Sequence, residues 1–277
     1  GVDPQAPVPR YESRSLRARV GSRRSSVTAP QATPETTGKV MLFATCYGNR
    51  NEPALGEDLI AILEHNGIQV ELTPREKCCG MPKLELGDLK AVEALKQYNV
   101  PMLAQAVEAG FDIMAPIPSC VLMFKQELPL LFADDPQVLQ VKRRIFDPFE
   151  YLMLRHKAGL LRTDFKLPLG KISYHVACHL RVQNIGLKTR DLLQLIPDTT
   201  VEPIERCSGH DGTYGVKSRF RAVSMKIAKP VIQRVQSSGA AYYASDCPMA
   251  GHQIESGLIE PREPTHPLKL LRMAYGL

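Results

Sequence analysis

The sequence predicts an α/β protein of two tandem domains, each a small, mainly parallel sheet flanked by helices. Three observations lead to this prediction. Short apolar runs typical of buried strands alternate with segments of helical periodicity. The length of 277 residues suits two domains of ordinary size. All seven cysteines follow one layout that occurs twice, offset by about 130 residues, so we expect the two domains to be related by a pseudo-twofold axis.

Residues 1–38 are predicted to form a linker or extended arm. They show no hydrophobic periodicity, and they are rich in Pro, Ser, Thr and Arg. Residues 1–39 carry +4 of the formal net charge of +6. A basic arm without a recognition element does not indicate a nucleic-acid partner, so we expect none.

The first domain is predicted to cover residues 39–165. Its apolar run at 40–44 and the alternating run at 68–72 indicate strands, as does the short run at 111–115. Helical spacing covers 57–65, a long segment at 89–109 and the remaining stretch to about residue 161. Because Pro101 lacks an amide hydrogen, a break is predicted in the long helix at Asn99-Val100-Pro101.

The second domain, residues 166–277, is predicted to repeat this order. Strands are expected at 172–176, 200–204 and 240–244, with helices at 191–196 and 216–236. Every cysteine then stands just beyond the carboxyl end of a predicted strand. Because the carboxyl ends of parallel strands meet at one edge of the sheet, thiols distant in sequence can come together there.

Four thiols in the first half form the stronger candidate metal site: Cys46, Cys78, Cys79 and Cys120. Adjacent cysteines such as Cys78 and Cys79 do not readily form a disulfide with each other. The absence of a secretory signal and the odd number of cysteines indicate a reducing compartment. Four thiolates suit a tetrahedral zinc ion or an iron–sulfur cluster, and the residues alone do not separate these two.

The second half offers three thiols, Cys178, Cys207 and Cys247, while Ser208 and Gly209 stand where the first half has Cys79 and Gly80. A cluster, another metal or an empty degenerate site are all compatible with this set. The nearby side chains that can complete it are His179, His210, Asp211, Asp246 and His252. Among them His210 and His252 are the additional ligands that we expect, because they lie in the candidate loops.

The cysteine layout resembles the CCG cysteine-rich domain. The motifs that carry the likeness are Cys46…Cys78-Cys79-Gly80…Cys120 and Cys178…Cys207-Ser208-Gly209…Cys247, with Glu76-Lys77 before the first pair and Gly212-Thr213-Tyr214-Gly215 after the second. Tandem domains of this kind occur in one component of heterodisulfide reductase and in iron–sulfur subunits of anaerobic glycerol-3-phosphate dehydrogenase, glycolate oxidase and lactate-utilisation systems. In the iron–sulfur subunit of glycerol-3-phosphate dehydrogenase, a domain with two ferredoxin-type clusters precedes this region, and we expect the arm to follow such a domain.

The resemblance implies an iron–sulfur electron-transfer subunit that relays electrons between a flavin-dependent dehydrogenase and an acceptor. It implies that the seven cysteines are metal ligands, with a cluster, expected to be 4Fe-4S, in the first half. We expect a cytoplasmic protein with no membrane span of its own, whose association with a membrane is through a partner. No nucleophile–base pair is evident, so we name no catalytic residue and expect an oxidoreductase component rather than an independent catalyst.

The sequence departs from the full family pattern at three positions. Met123 and Ala250 replace the last cysteine of each CxxC, and Ser208 replaces one of the central pair. These losses count against the disulfide-cleaving chemistry of heterodisulfide reductase and leave electron relay as the principal prediction. A disulfide or thiol reductase and a structural zinc-binding assembly module remain the alternatives.

Overall fold

The computed structural model of the chain describes residues 1–260 and 262–277. The chain forms two compact units. Tyr11–Arg162 make the N-terminal unit, and Gly1–Arg10 with Thr163–Leu277 make the C-terminal unit. Each unit contains a parallel sheet flanked by helices, which confirms the predicted fold class.

The N-terminal unit is built around a four-stranded sheet in the order β2-β1-β3-β4, with every pair parallel. Its elements, in chain order, are α1 (Leu16–Val20), β1 (Lys39–Leu42), α2 (Cys46–Arg50), α3 (Pro53–His65), β2 (Gln69–Leu72), α4 (Met81–Glu85), α5 (Leu89–Glu108), β3 (Asp112–Met114), α6 (Pro118–Leu122), a π-helical turn (Met123–Glu127), α7 (Leu128–Leu131), α8 (Pro136–Arg144), β4 (Ile145–Phe146) and α9 (Pro148–Lys157).

Pairing in this sheet aligns the strand ends that carry the cysteine loops. Leu42, the last residue of β1, pairs with Leu72 at the end of β2 and with Met114 at the end of β3. Leu42 and Met114 are fully buried beneath the flanking helices. The three loops that follow these strands therefore begin level with one another at the carboxyl edge.

Helix α5 runs without interruption through Pro101, so the predicted break at Asn99-Val100-Pro101 is wrong. Asn99 and Val100 are buried, whereas Pro101 is on the exposed side of the helix. Packing of the buried face holds the helix together across the missing amide hydrogen. Strand β4 was not predicted, because two residues are too few to show a periodicity.

The C-terminal unit contains a three-stranded parallel sheet in the order β6-β5-β7. Its elements are β5 (Gly170–His175), α10 (Cys178–Arg181), α11 (Lys188–Leu193), β6 (Thr199–Ile204), α12 (Arg221–Ser237), β7 (Tyr242–Ser245), α13 (Pro248–Glu255) and α14 (Pro267–Tyr275). His175 at the end of β5 pairs with Ile204 and with Ser245, so these strands too end level. Helix α12 begins at Arg221 rather than at residue 216, after a series of turns.

The first 38 residues make specific contacts within each unit. Val2 forms an antiparallel bridge with Lys217 in the C-terminal unit. In the N-terminal unit, Arg17 of α1 donates to the carbonyl oxygen of Thr73 at 2.6 Å. None of the helices within the described ranges is both long enough and apolar enough to cross a membrane.

Candidate metal centres

The four thiols of the N-terminal unit lie in the three loops that leave the carboxyl edge of its sheet. Cys46 starts α2 after β1, Cys78 and Cys79 precede α4 after β2, and Cys120 is in α6 after β3. Cys79 and Cys120 are buried, Cys78 is half-buried and Cys46 is exposed. All seven cysteines of the chain are free thiols.

Neighbouring thiols of this group perturb one another's pKa. Cys46 contacts Cys78, Cys78 contacts Cys79, and Cys79 contacts Cys120. Four thiols that span about 75 residues of sequence are thus linked as a row of neighbours. The strand ends of the N-terminal unit thus bring thiols distant in sequence next to one another.

One thiol, Cys78, is acidic, and its neighbours Cys46 and Cys79 donate hydrogen bonds to its sulfur. Hydrogen bonds from Cys46 and Cys79 lower the pKa of Cys78 to about 2. The pKa of Cys46 is raised, chiefly by its hydrogen bond to Cys78. The pKa of Cys79 is raised by its contacts with Cys120 and Cys78 and by complete burial. The amide hydrogen of Gly80 also stabilises the Cys78 thiolate, so this loop favours negative charge on sulfur.

Asn99 fixes the backbone of the cysteine loop from helix α5. Its side-chain oxygen accepts from the Lys77 amide at 2.9 Å, and its amide group donates to the carbonyl oxygens of Lys77 and Cys78 at 3.3 and 3.0 Å. Asn99 is fully buried. Sequence reasoning missed this role, because the helix was expected to break at this residue.

Glu76 connects two of the cysteine-bearing segments. One carboxylate oxygen accepts from the amide of Ala44, just ahead of Cys46, at 3.0 Å and from the Thr73 hydroxyl at 2.7 Å. Arg17 pairs with the same oxygen at 3.1 Å. The other oxygen, Oε1, is buried without a hydrogen bond, and burial raises the pKa of Glu76. Sequence reasoning used Glu76 only as part of a familial motif.

Backbone conformation at Gly80 requires glycine. Its φ is +106°, which L-residues with a side chain rarely adopt. A Cβ atom there would stand 3.2 Å from Cε of Met123, the residue that replaces the last cysteine of the first CxxC. Glycine therefore allows the loop to turn sharply after the two thiols and to pack against Met123.

In the C-terminal unit the thiols repeat part of this arrangement. Cys178 contacts Cys207, and Cys247 lies within electrostatic range of Cys178. The amide of Gly209 donates to Sγ of Cys207 at 3.3 Å, as Gly80 does to Cys78. Burial raises the pKa of Cys178 and raises that of Cys247 to about 11. Ser208, the counterpart of Cys79, is buried as well.

The predicted additional ligands differ in their surroundings. Nε2 of His210 is buried and has no hydrogen-bond partner. His252 pairs through Nδ1 with Glu255 on its own helix at 3.0 Å. The two carboxylate oxygens of Asp246 accept from the hydroxyls of Tyr174 and Thr189, and burial raises the pKa of this carboxyl to about 6. Asp246 is thus engaged in the fold of its unit.

His175 holds two of the cysteine segments of the C-terminal unit, a role that the sequence did not reveal. Nε2 donates to the carbonyl oxygen of Arg206, directly before Cys207, and Nδ1 accepts from the hydroxyl of Ser245, both at 3.0 Å. The Ser245 oxygen in turn accepts from the amide of Cys247 at 3.3 Å. Burial lowers the pKa of His175 to about 4, so the ring is neutral at neutral pH.

No three Cys, His, Asp or Glu side chains within residues 1–260 and 262–277 converge in the manner of a site for a single metal ion. The thiols of the N-terminal unit are neighbours in pairs: Cys46 with Cys78, and Cys79 with both Cys78 and Cys120. In an iron–sulfur cluster each cysteine binds its own iron atom, so the ligands surround the cluster rather than one ion. Four adjacent soft donors with an amide directed at sulfur fit this group.

Both units combine a parallel sheet with cysteines in the loops at the carboxyl ends of its strands. These features define a tandem cysteine-rich α/β protein. The family model described as CCG, cysteine-rich domain, matches residues 40–125 and again residues 172–255. The chain belongs to the CCG cysteine-rich domain family, which confirms the resemblance seen in the sequence.

Two groups of relatives are similar to much of the chain. It is 30% identical over 277 residues to a subunit of the anaerobic glycerol-3-phosphate dehydrogenase of Escherichia coli strain K12, covering 99% of this chain and 67% of that protein. It is 30% identical over 217 residues to lactate utilization protein A of Bacillus pumilus, covering 76% of this chain and 87% of that protein. A second lactate utilization protein A, from an Exiguobacterium species, is 29% identical over 208 residues, covering 73% of this chain and 82% of that protein.

Proposed function

We propose that the protein is an iron–sulfur electron-transfer subunit of a multisubunit oxidoreductase. The observation that carries the proposal is the group of four connected thiols at the carboxyl edge of the N-terminal sheet. Thiolates are the usual ligands of iron–sulfur clusters, which supply one-electron transfer when bound. The name of the E. coli relative, a dehydrogenase subunit, supports a redox assembly.

In this proposal Cys46, Cys78, Cys79 and Cys120 hold a 4Fe-4S cluster. The chain contributes the ligands and the environment that sets the potential. The Gly80 amide hydrogen-bonds to sulfur, which stabilises the negative charge of the ligand set. Cys79 and Cys120 are buried and keep water away from their sulfur atoms. Cys46 is exposed, so in this proposal electrons pass between the cluster and a partner at Cys46. Asn99 and Glu76 fix the positions of the loops.

The partner that we infer is a dehydrogenase-type protein, with a flavin-dependent subunit as the expected class, and the location is the cytoplasm. Cys178, Cys207 and Cys247 are proposed as ligands of a second centre. Electron relay requires no catalytic base or nucleophile from this chain.

An anaerobic redox titration followed by EPR tests the proposed function. We expect a paramagnetic signal that appears on reduction with dithionite and disappears on reoxidation with ferricyanide, at about one electron per cluster. Candidate disulfides should leave the signal unchanged, since a disulfide reductase would alter it on binding substrate. A cluster that takes up no electron between these reagents, or stoichiometric zinc in its place, would overturn the electron-transfer role.

A further inference from the structure

The cysteine loops of the N-terminal unit carry positive charge that is exposed to solvent. Residues 46–50 and 75–83, which include three of the four thiols, contain the cationic side chains Arg50, Arg75, Lys77 and Lys83. All four are exposed. The one carboxylate in these two segments belongs to Glu76, which is largely buried and pairs with Arg17. We call the four cations the basic edge.

Three cations of the basic edge lie next to a thiol. Arg50 follows Cys46 by four residues in α2, so the two exposed residues share one face of that helix. Lys77 directly precedes Cys78. Lys83 is near enough to Cys78 to contribute to the low pKa of this thiol. The positive charges are thus placed beside the two thiols of the row that solvent reaches, Cys46 and Cys78.

Tyr98 of helix α5 holds two of these cations together. The guanidinium carbon of Arg75 lies 5.1 Å from the centre of the Tyr98 ring, and Nζ of Lys77 lies 4.4 Å from it. In the part of the chain that the structure describes, neither cation forms an ion pair with a carboxylate. Two like charges on one ring, without a carboxylate between them, produce a local positive potential that attracts an acidic group.

The equivalent segments of the C-terminal unit do not have this excess of positive charge. Residues 178–182 and 204–212 contain the cations Arg181 and Arg206 and the exposed carboxylates of Glu205 and Asp211. Arg181 pairs with Glu205 at 3.2 Å. The positive potential is therefore a feature of the four-thiol edge and not of the repeated fold.

We propose that the basic edge is a docking surface for an acidic face of the redox partner protein. An acidic face complements the four cations, and docking there brings the partner to Cys46, the exposed thiol. Complementary charge of this kind accelerates encounter and orients the two proteins. The proposal rests on the proposed function in taking the occupant to be a protein that exchanges electrons with the centre of the N-terminal unit.

Binding of a fluorescein-labelled oligoglutamate peptide to the full chain tests the surface without electron transfer. Fluorescence anisotropy should show an affinity that falls as NaCl is added, because the Debye length shrinks from about 10 Å at 0.1 M to about 3 Å at 1 M. The double variant Arg75→Gln with Lys77→Gln should weaken binding at low salt by about fivefold, since each exposed charge contributes modestly.

The matched control is Lys142→Gln with Arg143→Gln. These two exposed cations end helix α8 directly before strand β4, at the opposite edge of the same sheet, and their replacement changes the net charge by the same amount. The control should bind the peptide like the parent chain. Equal losses in the two double variants, or binding that salt does not weaken, would overturn the docking surface.

Electron transfer to small oxidants of opposite charge tests whether the surface serves the centre. The chain is reduced with dithionite, the reductant is removed, and one electron passes to ferricyanide, an anion, or to hexaammineruthenium(III), a cation. Added salt should slow the first reaction and accelerate the second. The Arg75→Gln, Lys77→Gln variant should slow the ferricyanide reaction by about fivefold, whereas the control variant should not.

A ferricyanide rate that the Arg75→Gln, Lys77→Gln variant leaves unchanged would overturn docking at the centre, even if the peptide binds. A chain that accepts no electron from dithionite would instead overturn the proposed function, and the redox partner with it.

Discussion

Asn99 and His175 have the same task in different units, although their chemistry differs. Asn99 hydrogen-bonds to the backbone on both sides of the Lys77–Cys78 peptide. His175 binds the carbonyl oxygen that precedes Cys207. Both residues are fully buried, and neither is a proposed ligand. Their roles were not predictable from sequence, because each depends on a partner brought near only by the tertiary fold.

Replacing Asn99 by Ala should destabilise the N-terminal unit. The change leaves the Lys77 amide and two carbonyl groups without their present partner, and each such hydrogen bond contributes about 0.5–1.5 kcal/mol to stability. We expect the free energy of unfolding to fall by about 2–3 kcal/mol, measured by anaerobic urea denaturation followed by circular dichroism. Gln97→Ala, at an exposed position of the same helix, is the control and should change stability by less than about 0.5 kcal/mol. Equal effects of the two substitutions would refute the role of Asn99.

Protonation of His175 should make the fold less stable in acid. Burial and the nearby Arg181 lower its pKa in the folded chain to about 4, against 6.5 as the ordinary value. Below pH 6.5 the unfolded chain binds a proton that the folded chain does not, so stability is lost as pH falls from 6.5 toward 4. The contribution to this loss between about pH 7.5 and about pH 5 is about 2 kcal/mol.

The matched variant for this prediction is His175→Gln. The Gln amide can donate to the Arg206 carbonyl oxygen and accept from Ser245, but it does not titrate. Urea unfolding at the two pH values should show a loss smaller by about 2 kcal/mol in the variant than in the parent chain. If both chains lose the same stability, His175 does not carry this pH dependence.

Long helices show where sequence patterns succeed and where they fail. Helix α5 contains Pro101 and helix α12 contains Pro230, both on exposed positions, and both helices are continuous. The apolar spacing predicted both helices, although α12 begins five residues later than expected. A break was nevertheless predicted at Pro101, although none was predicted at Pro230. Whether a helix continues through a proline depends on how well its opposite face is buried, and the local residues do not show that burial.

Substitution of Pro101 by Ala should stabilise the chain. Within a continuous helix, Ala restores an amide hydrogen and removes a steric conflict worth up to ~3 kcal/mol, partly offset by a more flexible unfolded chain. We expect a net gain of about 1 kcal/mol in urea denaturation. Pro136→Ala, at the first turn of α8, is the control and should bring no gain, since proline is well suited to that position. A destabilised Pro101→Ala would show that the helix needs the proline.

Across the whole chain, the duplicated cysteine layout was the most informative feature of the sequence. It predicted two parallel sheets with thiols at their carboxyl edges, and the strand orders β2-β1-β3 and β6-β5-β7 agree with that duplication. The differences between the halves were harder to interpret. The sequence showed that Ser208 replaces a thiol, and the structure adds that Nε2 of His210 is buried without a hydrogen-bond partner, whereas Nδ1 of His252 pairs with Glu255.

The central claim is that the four thiols of the N-terminal unit hold an iron–sulfur cluster. Iron, zinc and acid-labile sulfide should therefore be measured in anaerobically purified protein and in Cys79→Ser, with Ser26→Ala as an exposed control. We predict stoichiometric iron and sulfide, about four of each for one 4Fe-4S cluster, retained in Ser26→Ala and strongly reduced in Cys79→Ser. Zinc without sulfide, or a sulfide content that Cys79→Ser leaves unchanged, would contradict the claim.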